Sequence, residues 1–346
     1  MAESPSTRFE GSRPLAPVRW LGFAAFVLTS VVAASAPLSA RDDGRKGPAL
    51  PTTLQDKRPA VDRQLDEWDV REIEGLRAEA ERGEAKAQFD FGFRYFSGDG
   101  VPQDFGAAAE WWLKAAEQDH VAAQVNLAQM YENGVGVTRD SEEATRWFLR
   151  AAQEGDTTGQ LRIGEAYQQG LGVMQDIEEA VFWWRRAAEQ GSAAAQNYLG
   201  ESYRGGTGVP RDFMQAVAWY EKAARQGHPT AQTNLGFMYR FGEGVMQDLS
   251  SAVEWWRRAA EQGNVTAQYN LAVSYHNGEG VLSDLIEARK WAEVAVSNAS
   301  GDSKSKYSTL LEALTRKMTA DDVAEARRRA QQQLDSLRRR STPRKL

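Results

Sequence analysis

The chain of 346 residues contains no cysteine and only three histidines. The absence of cysteine excludes disulfide bonds, thiol nucleophiles, cysteine-ligated zinc, iron–sulfur clusters and a lipid-modified cysteine. Three scattered histidines are too few for a convincing metal site, and neither a Gly-x-Ser-x-Gly nor a His-Glu-x-x-His motif occurs. Glycine-rich loops are present, but none continues as a phosphate-binding motif. The sequence therefore predicts no catalytic residues, no metal ion and no cofactor.

Charge is distributed unevenly along the chain. Residues 61–315 hold 24 Lys/Arg against 39 Asp/Glu, whereas residues 316–346 hold ten against four. An acidic body repels the phosphates of nucleic acids, so a nucleic-acid partner is not expected. The basic end, residues 339–346, is predicted to be a solvated tail, because charged tails usually are.

The first forty residues have the pattern of an export signal. Three arginines precede an apolar run over residues 20–28, and small residues follow up to Ala40. A basic start, a short apolar core and an Ala-x-Ala site are typical of a cleaved secretory signal peptide. Because residues 20–40 are about long enough to span a bilayer, a retained membrane anchor is the alternative. Residues 1–40 are thus predicted to direct export, and residues 41–60 to form a flexible linker.

A period of 36 residues runs through the middle of the chain. This step separates a glutamine, a tyrosine, a tryptophan and an aspartate in six successive copies over residues 85–300, with no insertion or deletion. The glutamines are Gln88, Gln124, Gln160, Gln196, Gln232 and Gln268, and the aspartates are Asp104, Asp140, Asp176, Asp212, Asp248 and Asp284. Such a period is typical of repeat architectures, in which each unit contacts only its neighbours.

Each copy has the pattern of two short helices, named helix A and helix B here. Apolar residues share one face of helix A, and glycines then break it. Asp176 is the predicted N-cap of one helix B, with Glu179 as its partner in a capping box. Aromatic doublets such as Trp183-Trp184 recur in helix B, where their spacing favours core packing over a stacking platform for sugars or bases. One helix pair buries too little surface to stand alone, so the copies are predicted to stack.

Helices are also predicted to cap both ends of the array. Residues 61–84 occupy the place of a preceding helix B, and residues 301–338 supply two further helices. The last of these begins at a predicted capping box of Thr319 and Asp322. A polar terminal unit is what the end of a solenoid requires.

The repeats resemble the Sel-one-like repeat (SLR) family, a relative of the tetratricopeptide repeat. Residues 231–263 meet the family pattern nearly in full, and the resemblance extends over residues 85–300 and the caps. Five departures from the pattern are expected to weaken single joints between helices: Gly159, Ala128, Ala272, Asp119 and Ala292.

The resemblance implies an all-α fold, a right-handed α/α superhelical solenoid of six repeats with terminal capping helices. It also implies a non-catalytic scaffold or adaptor that binds a protein or peptide partner. Many bacterial members are exported to the cell envelope, so the periplasm is the expected location, with membrane contact only through an uncleaved N-terminal segment. A branch of the family with paired cysteines is linked to β-lactam binding or hydrolysis. An envelope hydrolase or cell-wall binder is therefore the alternative function, although this chain lacks those cysteines.

The predicted partner site lies on helix A, which lines the concave groove of the related tetratricopeptide fold. The candidates are variable positions, either two places after each repeated glutamine or directly after each repeated tyrosine. The predicted contact residues are Asn126, Arg162, Tyr198, Asn234, Asn270, Arg204, Arg240 and His276. Asparagine can pair with the backbone of an extended peptide, and arginine with acidic groups of a partner. The alternative is that the asparagines only follow the family pattern and solvate the groove.

Overall fold

The computed structural model describes the backbone of residues 60–341 and the side chains of residues 71–340. Within this range the chain forms fifteen α-helices and no strand, which confirms the predicted all-α repeat fold. The A helices are α2 (Ala85–Ser97), α4 (Val121–Asn133), α6 (Thr157–Gln169), α8 (Ala193–Gly205), α10 (Pro229–Phe241) and α12 (Val265–Asn277). The B helices are α3 (Phe105–Glu117), α5 (Ser141–Gln153), α7 (Ile177–Glu189), α9 (Phe213–Arg225), α11 (Leu249–Ala260) and α13 (Leu285–Asn298). The terminal helices are α1 (Ala60–Glu81), α14 (Gly301–Thr315) and α15 (Ala320–Ser341).

Each helix B begins at its predicted aspartate N-cap. Oδ1 of Asp176 accepts hydrogen bonds from the backbone N–H groups of Glu178 and Glu179, at 3.0 and 3.1 Å. The return bond predicted for a capping box is not formed. Instead, the backbone N–H of Asp176 donates to the carbonyl of Tyr167 in helix A, at 2.9 Å. Because the same bond recurs between the equivalent aspartate and tyrosine of every repeat, it ties helix B to helix A.

The loop between the two helices depends on glycine. Gly242 ends α10 with φ +68° and donates its N–H to the carbonyl of Met238. A Cβ at Gly244, where φ is +69°, would lie 2.3 Å from the carbonyl oxygen of Phe213, at the start of the preceding helix B. Only glycine combines this backbone conformation with so close an approach. The loop can therefore pack against the previous repeat.

In four repeats, the second aromatic residue of the doublet packs against the glycine of helix A in the same repeat. A Cβ at Gly236 would lie 2.4 Å from Nε1 of Trp256, and Trp256 is fully buried. Two repeats carry alanine in place of this glycine, and both carry a smaller residue at the position of the large ring. These pairs are Ala128 with Phe148 and Ala272 with Ala292. The smaller side chain at the ring position thus accompanies the additional methyl group in both repeats, and the expected weakening of these joints stays a prediction.

The other two departures from the repeat pattern have opposite consequences. A Cβ at Gly159 would lie 2.8 Å from the backbone nitrogen of Ala152, so glycine is required there and does not weaken the joint. Asp119 is the one non-glycine residue with positive φ among the described residues, at 61°. Side chains other than glycine rarely adopt this conformation. Asp119 therefore strains the loop, as expected, although Arg150 pairs with its carboxylate at 2.6 Å.

A ladder of glutamines joins successive repeats. Nε2 of each repeated glutamine donates to an alanine carbonyl in the preceding helix, which is α1 for Gln88 and the helix B of the preceding repeat for the other five. Gln232, for example, donates to Ala224 at 3.1 Å. In five repeats, its Oε1 accepts from a side-chain amide at the end of its own helix B; Gln232 accepts from Gln262 at 2.8 Å. The other four such pairs are Gln118 with Gln88, Gln190 with Gln160, Gln226 with Gln196 and Asn298 with Gln268.

The ladder is incomplete in the second repeat, where the donor position holds Glu154. A carboxylate offers oxygen acceptors and, unlike an amide, no N–H donor, and Oε1 of Gln124 is buried without a partner. We expect Glu154→Gln to raise the free energy of unfolding by about 1 kcal/mol, because it supplies the missing donor. The matched control is Glu189→Gln, which also removes an exposed charge at the end of a helix B but occupies no ladder position. Equal stabilities of the two variants in chemical denaturation would contradict the prediction.

The terminal helices cover the ends of the repeat core. Ala326 and Ala330 of α15 are fully buried, and Leu334 and Leu337 pack against the core of the last repeat. Thr319 caps α15 as predicted, since the backbone N–H of Asp322 donates to its hydroxyl at 3.2 Å. The return contact differs from that of a capping box, because the hydroxyl of Thr319 donates to the carboxylate of Asp322 at 2.7 Å.

The repeat array and its terminal helices have ends that differ in part from the predicted ones. Helix α15 continues through Ser341 and thus includes the first residues of the predicted tail, while residues 342–346 lie outside the described range. The predicted signal or anchor and the linker up to residue 59 also lie outside it. None of the helices in the described part of the chain is both long and apolar enough to cross a membrane.

Candidate functional site

One face of the A helices carries the variable residues and is called the A face here. It consists of the residues two, five, eight and nine places after each ladder glutamine, which in α8 are Tyr198, Glu201, Arg204 and Gly205. These spacings place them on one side of a helix. Side chains of the A face also reach those of neighbouring A helices, so the face continues from repeat to repeat.

The three arginines predicted to contact a partner are already paired within the chain. Arg162 lies 2.9 Å from Glu165 of its own helix and 3.9 Å from Glu132 of the preceding A helix. The other two pairs connect an A helix to the loop of the next repeat, with Arg204–Glu243 at 3.4 Å and Arg240–Glu279 at 2.8 Å. Acidic groups of a partner would have to compete with these carboxylates.

Tyr198 takes part in the same network. Its hydroxyl donates to Oε1 of Glu165 at 3.0 Å, and its ring stacks on Trp184 with 4.6 Å between the ring centroids. Burial raises the pKa of Tyr198 well above its ordinary value, and the carboxylate of Glu165 adds to this shift. Tyr198 is therefore a fixed hydrogen-bond donor of the A face.

Asn234 lies in a cluster with Asn197 and Glu201, called the Glu201 cluster here. Nδ2 of Asn197 donates to Oε1 of Glu201 at 3.0 Å. Nδ2 of Asn234 lies 3.2 Å from Oδ1 of Asn197 and 3.3 Å from the same Oε1 of Glu201. Both asparagines are buried, whereas Glu201 remains exposed to solvent. Two neutral amides thus hold one carboxylate in a fixed position.

The protein around Glu201 raises the pKa of its carboxyl group. The largest cause is the protein packed around the carboxyl group, which excludes water from it although part of the Glu201 side chain reaches solvent. This effect outweighs the hydrogen bonds from the two asparagines and the attraction of Arg204. The carboxylate in turn raises the pKa values of Tyr198 and Tyr220. The fold therefore disfavours the charged form of Glu201.

We expect Glu201→Gln to stabilise the protein at pH 7. An acid with a raised pKa destabilises the fold above that pKa, and the effect disappears as the pH falls to the ordinary value of 4.5 in the unfolded chain. The glutamine keeps an oxygen acceptor for both asparagines. The difference in melting temperature between the variant and the natural protein should therefore be positive at pH 7 and vanish below pH 4.5. A lower melting temperature of the variant at pH 7 would show that the charge is structural.

Apolar side chains follow the Glu201 cluster in the next A helix. Phe237 and Phe241 lie one and two turns after Asn234, with nearly parallel rings whose centroids are 6.3 Å apart. The rings of Phe237 and Trp256 pack edge to face, with 5.5 Å between their centroids, and this contact holds Phe237 in place. Phe241 is 59% exposed. An apolar surface thus lies beside a carboxylate on the A face.

The remaining predicted residues have different environments. Asn126 is half-buried in α4. Asn270 is buried, and its Nδ2 has no hydrogen-bond partner. His276 lies at the end of α12, with Nε2 at 3.0 Å from Nζ of Lys317 and Nδ1 at 2.9 Å from Asn277. The structure therefore brings Tyr198 and Arg162 into one network and Asn234 into another, and it leaves Asn126, Asn270 and His276 apart from both.

The family assignment rests on the repeated residues rather than on the A face. The profile of the Sel1 repeat matches six consecutive segments, residues 85–120, 121–156, 157–192, 193–228, 229–264 and 265–300. The chain belongs to the Sel1 repeat family. Sel1 repeats are helical solenoids of the protein-interaction scaffold type.

Solved structures of Sel1 repeat proteins are similar to the chain. A Sel1 repeat protein from Oxalobacter formigenes is 30% identical, with a TM-score of 0.60 over 70% of this chain and 96% of that protein. A protective antigen of uropathogenic Escherichia coli with the SLR fold is 29% identical, with a TM-score of 0.35, over 79% of this chain and 73% of its own. An immunity protein from Pseudomonas aeruginosa is 20% identical, with a TM-score of 0.38, over 70% of this chain and 84% of its own. Comparison with curated proteins gives no match.

Sequence reasoning missed the residues nine places after each ladder glutamine, which include Phe241, and a second set on the A face of this Sel1 repeat protein. The residues of the second set lie five places after each ladder glutamine: Phe93, Gln129, Glu165, Glu201, Phe237 and Val273. They differ between repeats as much as the residues two places after the glutamine, and they lie one helical turn further along the same face. The spacing of one helical turn from the predicted positions was the sequence signal that could have identified them. Within residues 71–340, His, Asp and Glu form no group of three that could hold a metal ion.

Proposed function

We propose that this Sel1 repeat protein is a non-catalytic, exported scaffold that binds a protein or peptide partner on its A face. The support is a contrast between two sets of positions in the same helices. The ladder glutamine, the residue that faces the ring of helix B and the capping aspartate recur because packing requires them. The A face instead carries asparagine, arginine, tyrosine, carboxylates and phenylalanine at equivalent positions. Packing alone does not require such variety, whereas recognition of one particular partner does.

The test compares two matched triple variants of the full-length chain. The A-face variant, Asn133→Glu, Gln169→Glu and Phe241→Glu, changes exposed residues of three A helices. The control, Gln153→Glu, Phe182→Glu and Gln215→Glu, changes exposed residues of three B helices, including a phenylalanine of similar exposure. Partners are captured by crosslinking in envelope extracts and quantified for each protein.

We expect both triple variants to keep their helicity and melting temperature, because all six positions are exposed. The A-face variant should lose the captured partner, while the control should retain it. Loss of the partner from the B-helix variant alone would place the interaction on the other face and contradict the proposal.

Export is proposed from the N-terminal sequence. Arg8, Arg13 and Arg19 precede the apolar run, and small residues follow it. A phosphatase reporter that is active only in an oxidising compartment, fused after residue 60, should be active. Replacing Phe23 and Phe26 by Asp should abolish this activity, because charges in the apolar core prevent insertion. A silent reporter on the natural sequence would refute export, and N-terminal sequencing distinguishes a cleaved signal from an anchor.

A further inference from the structure

Glu201 differs from the other carboxylates of the A face in having no basic partner. Lys86 lies 2.9 Å from Asp90, and Arg162 lies within 4.0 Å of both Glu132 and Glu165. Within residues 71–340, no Lys, Arg or His nitrogen lies within 4.0 Å of Glu201. The neighbouring Arg204 forms its ion pair with Glu243 instead.

The exposed apolar surface of Phe241 belongs to the same part of the A face. Asn234 connects the two features, because its amide reaches Glu201 and its helix carries Phe237 and Phe241 on the next two turns. An occupant that spans helices α8 and α10 on the A face therefore meets both a carboxylate and an apolar ring. Every arginine that was predicted to attract an acidic partner is paired, so the unpaired charge of this region is negative.

Two features of this region reduce the stability of the fold. The fold disfavours the charge of Glu201, as its raised pKa shows. In the next repeat, the position equivalent to Glu201 holds Phe237, which offers no acceptor, and Nδ2 of Asn270 is left buried without a partner. A disfavoured charge and a buried amide without a partner are expected where residues serve binding rather than folding.

The charge of the whole array favours the same kind of occupant. Residues 61–315 hold 24 Lys/Arg against 39 Asp/Glu, so the repeats attract basic segments and repel acidic ones. We propose that Glu201, Phe237 and Phe241 bind a segment of the partner protein in which a lysine or arginine lies next to a large apolar residue. This inference rests on the proposed function of the A face. The cation pairs with Glu201, and the apolar side chain covers Phe241.

The test uses a phage-displayed library of random peptides selected on the purified full-length chain. Peptides with Lys or Arg beside Phe, Trp, Leu or Met should be enriched. Fluorescence anisotropy of a selected peptide should show at least about tenfold weaker binding to Glu201→Gln and to Phe241→Ser, because each loses one strong contact. Binding to the natural protein should also weaken as the salt concentration rises.

Two control variants change side chains of the same kind in other repeats. Glu165→Gln alters a carboxylate that is already paired, and Phe93→Ser alters a phenylalanine that is 52% exposed in the first repeat. Both should bind the selected peptide as the natural protein does. Because Glu201→Gln is expected to be at least as stable at pH 7, its loss of binding cannot arise from unfolding.

The possible failures can be told apart. Loss of binding to the A-face triple variant shows that the selected peptides bind the A face. If they do so but bind Glu201→Gln unchanged, or if they are acidic, the inference is wrong and the proposed function stands. If the A-face triple variant binds every selected peptide as tightly as the natural protein does, both the inference and the proposed function fail. If the natural chain self-associates in sedimentation and Glu201→Gln abolishes this, the occupant is a second copy of the chain, and the inference is again wrong.

Discussion

Deletion of residues 193–228, one complete repeat, is expected to leave a folded array of five repeats. Each repeat contacts only its neighbours, so the flanking repeats can stack on each other. Ser192, which now caps α8, would precede Pro229 and take the place of His228, the cap of α10. Gln232 could then donate to the carbonyl of Ala188, as Gln196 does now at 3.0 Å. Circular dichroism should show unchanged helicity per residue and one cooperative unfolding transition.

The control deletion removes residues 193–210, which include one helix A but no helix B. Helix α9 would then follow α7 directly, and the packing of helix B against helix A would be lost at this joint. The lost packing is worth several kcal/mol, which is a large part of the stability of a domain. We therefore expect the half-repeat deletion to lose its cooperative unfolding transition and to aggregate. A half-repeat deletion as stable as the whole-repeat deletion would contradict the repeat-by-repeat account of stability.

Replacement of Gly236 by alanine is expected to lower the free energy of unfolding by about 2 kcal/mol or more. The added Cβ would lie 2.4 Å from Nε1 of Trp256, whose ring is buried and whose Nε1 donates to the carbonyl of Thr233 at 3.1 Å. This ring has no space into which it can move. Alanine favours a helix over glycine by about 1 kcal/mol, so the clash must exceed that gain for the variant to be destabilised.

The second repeat shows how the clash can be relieved, because alanine there accompanies phenylalanine at the ring position. Trp256→Phe alone should also destabilise the protein, since it leaves a cavity and removes the hydrogen bond from Nε1 of Trp256 to the carbonyl of Thr233. The double variant, Gly236→Ala with Trp256→Phe, should be more stable than the sum of the single changes predicts, by at least about 1 kcal/mol. Urea unfolding of the four proteins measures this coupling. Strict additivity would show that glycine and ring are not matched.

The fold could be predicted from the sequence because its determinants recur at short, fixed distances. Capping aspartates, loop glycines and aromatic doublets each act within one repeat or between adjacent repeats. The reciprocal capping box was the exception, since the backbone N–H of Asp176 already donates to Tyr167. That bond joins two helices, so a pattern within one helix did not indicate it.

The candidate site could be predicted only in part. The helix and two of the four sets of variable positions followed from the period, but the contacts of each side chain did not. Asn234 was expected to be available to a partner, yet it is buried and holds Glu201. Arg204 and Arg240 were expected to be free for acidic groups, yet both are paired with loop carboxylates. These contacts join different repeats.

The sequence by itself determined the repeat, its length, the number of copies and the ends of most helices, because backbone geometry and local packing depend on residues at fixed spacing. Only the tertiary structure decided which polar groups find partners, because that depends on how neighbouring helices are placed against each other. The stacking places Ala128 and Phe148 in one core cluster and leaves Oε1 of Gln124 without a donor. Among residues 71–340, it also places two asparagine amides rather than a cation at the carboxylate of Glu201. A one-dimensional pattern does not contain these distances, and packing in three dimensions fixes them.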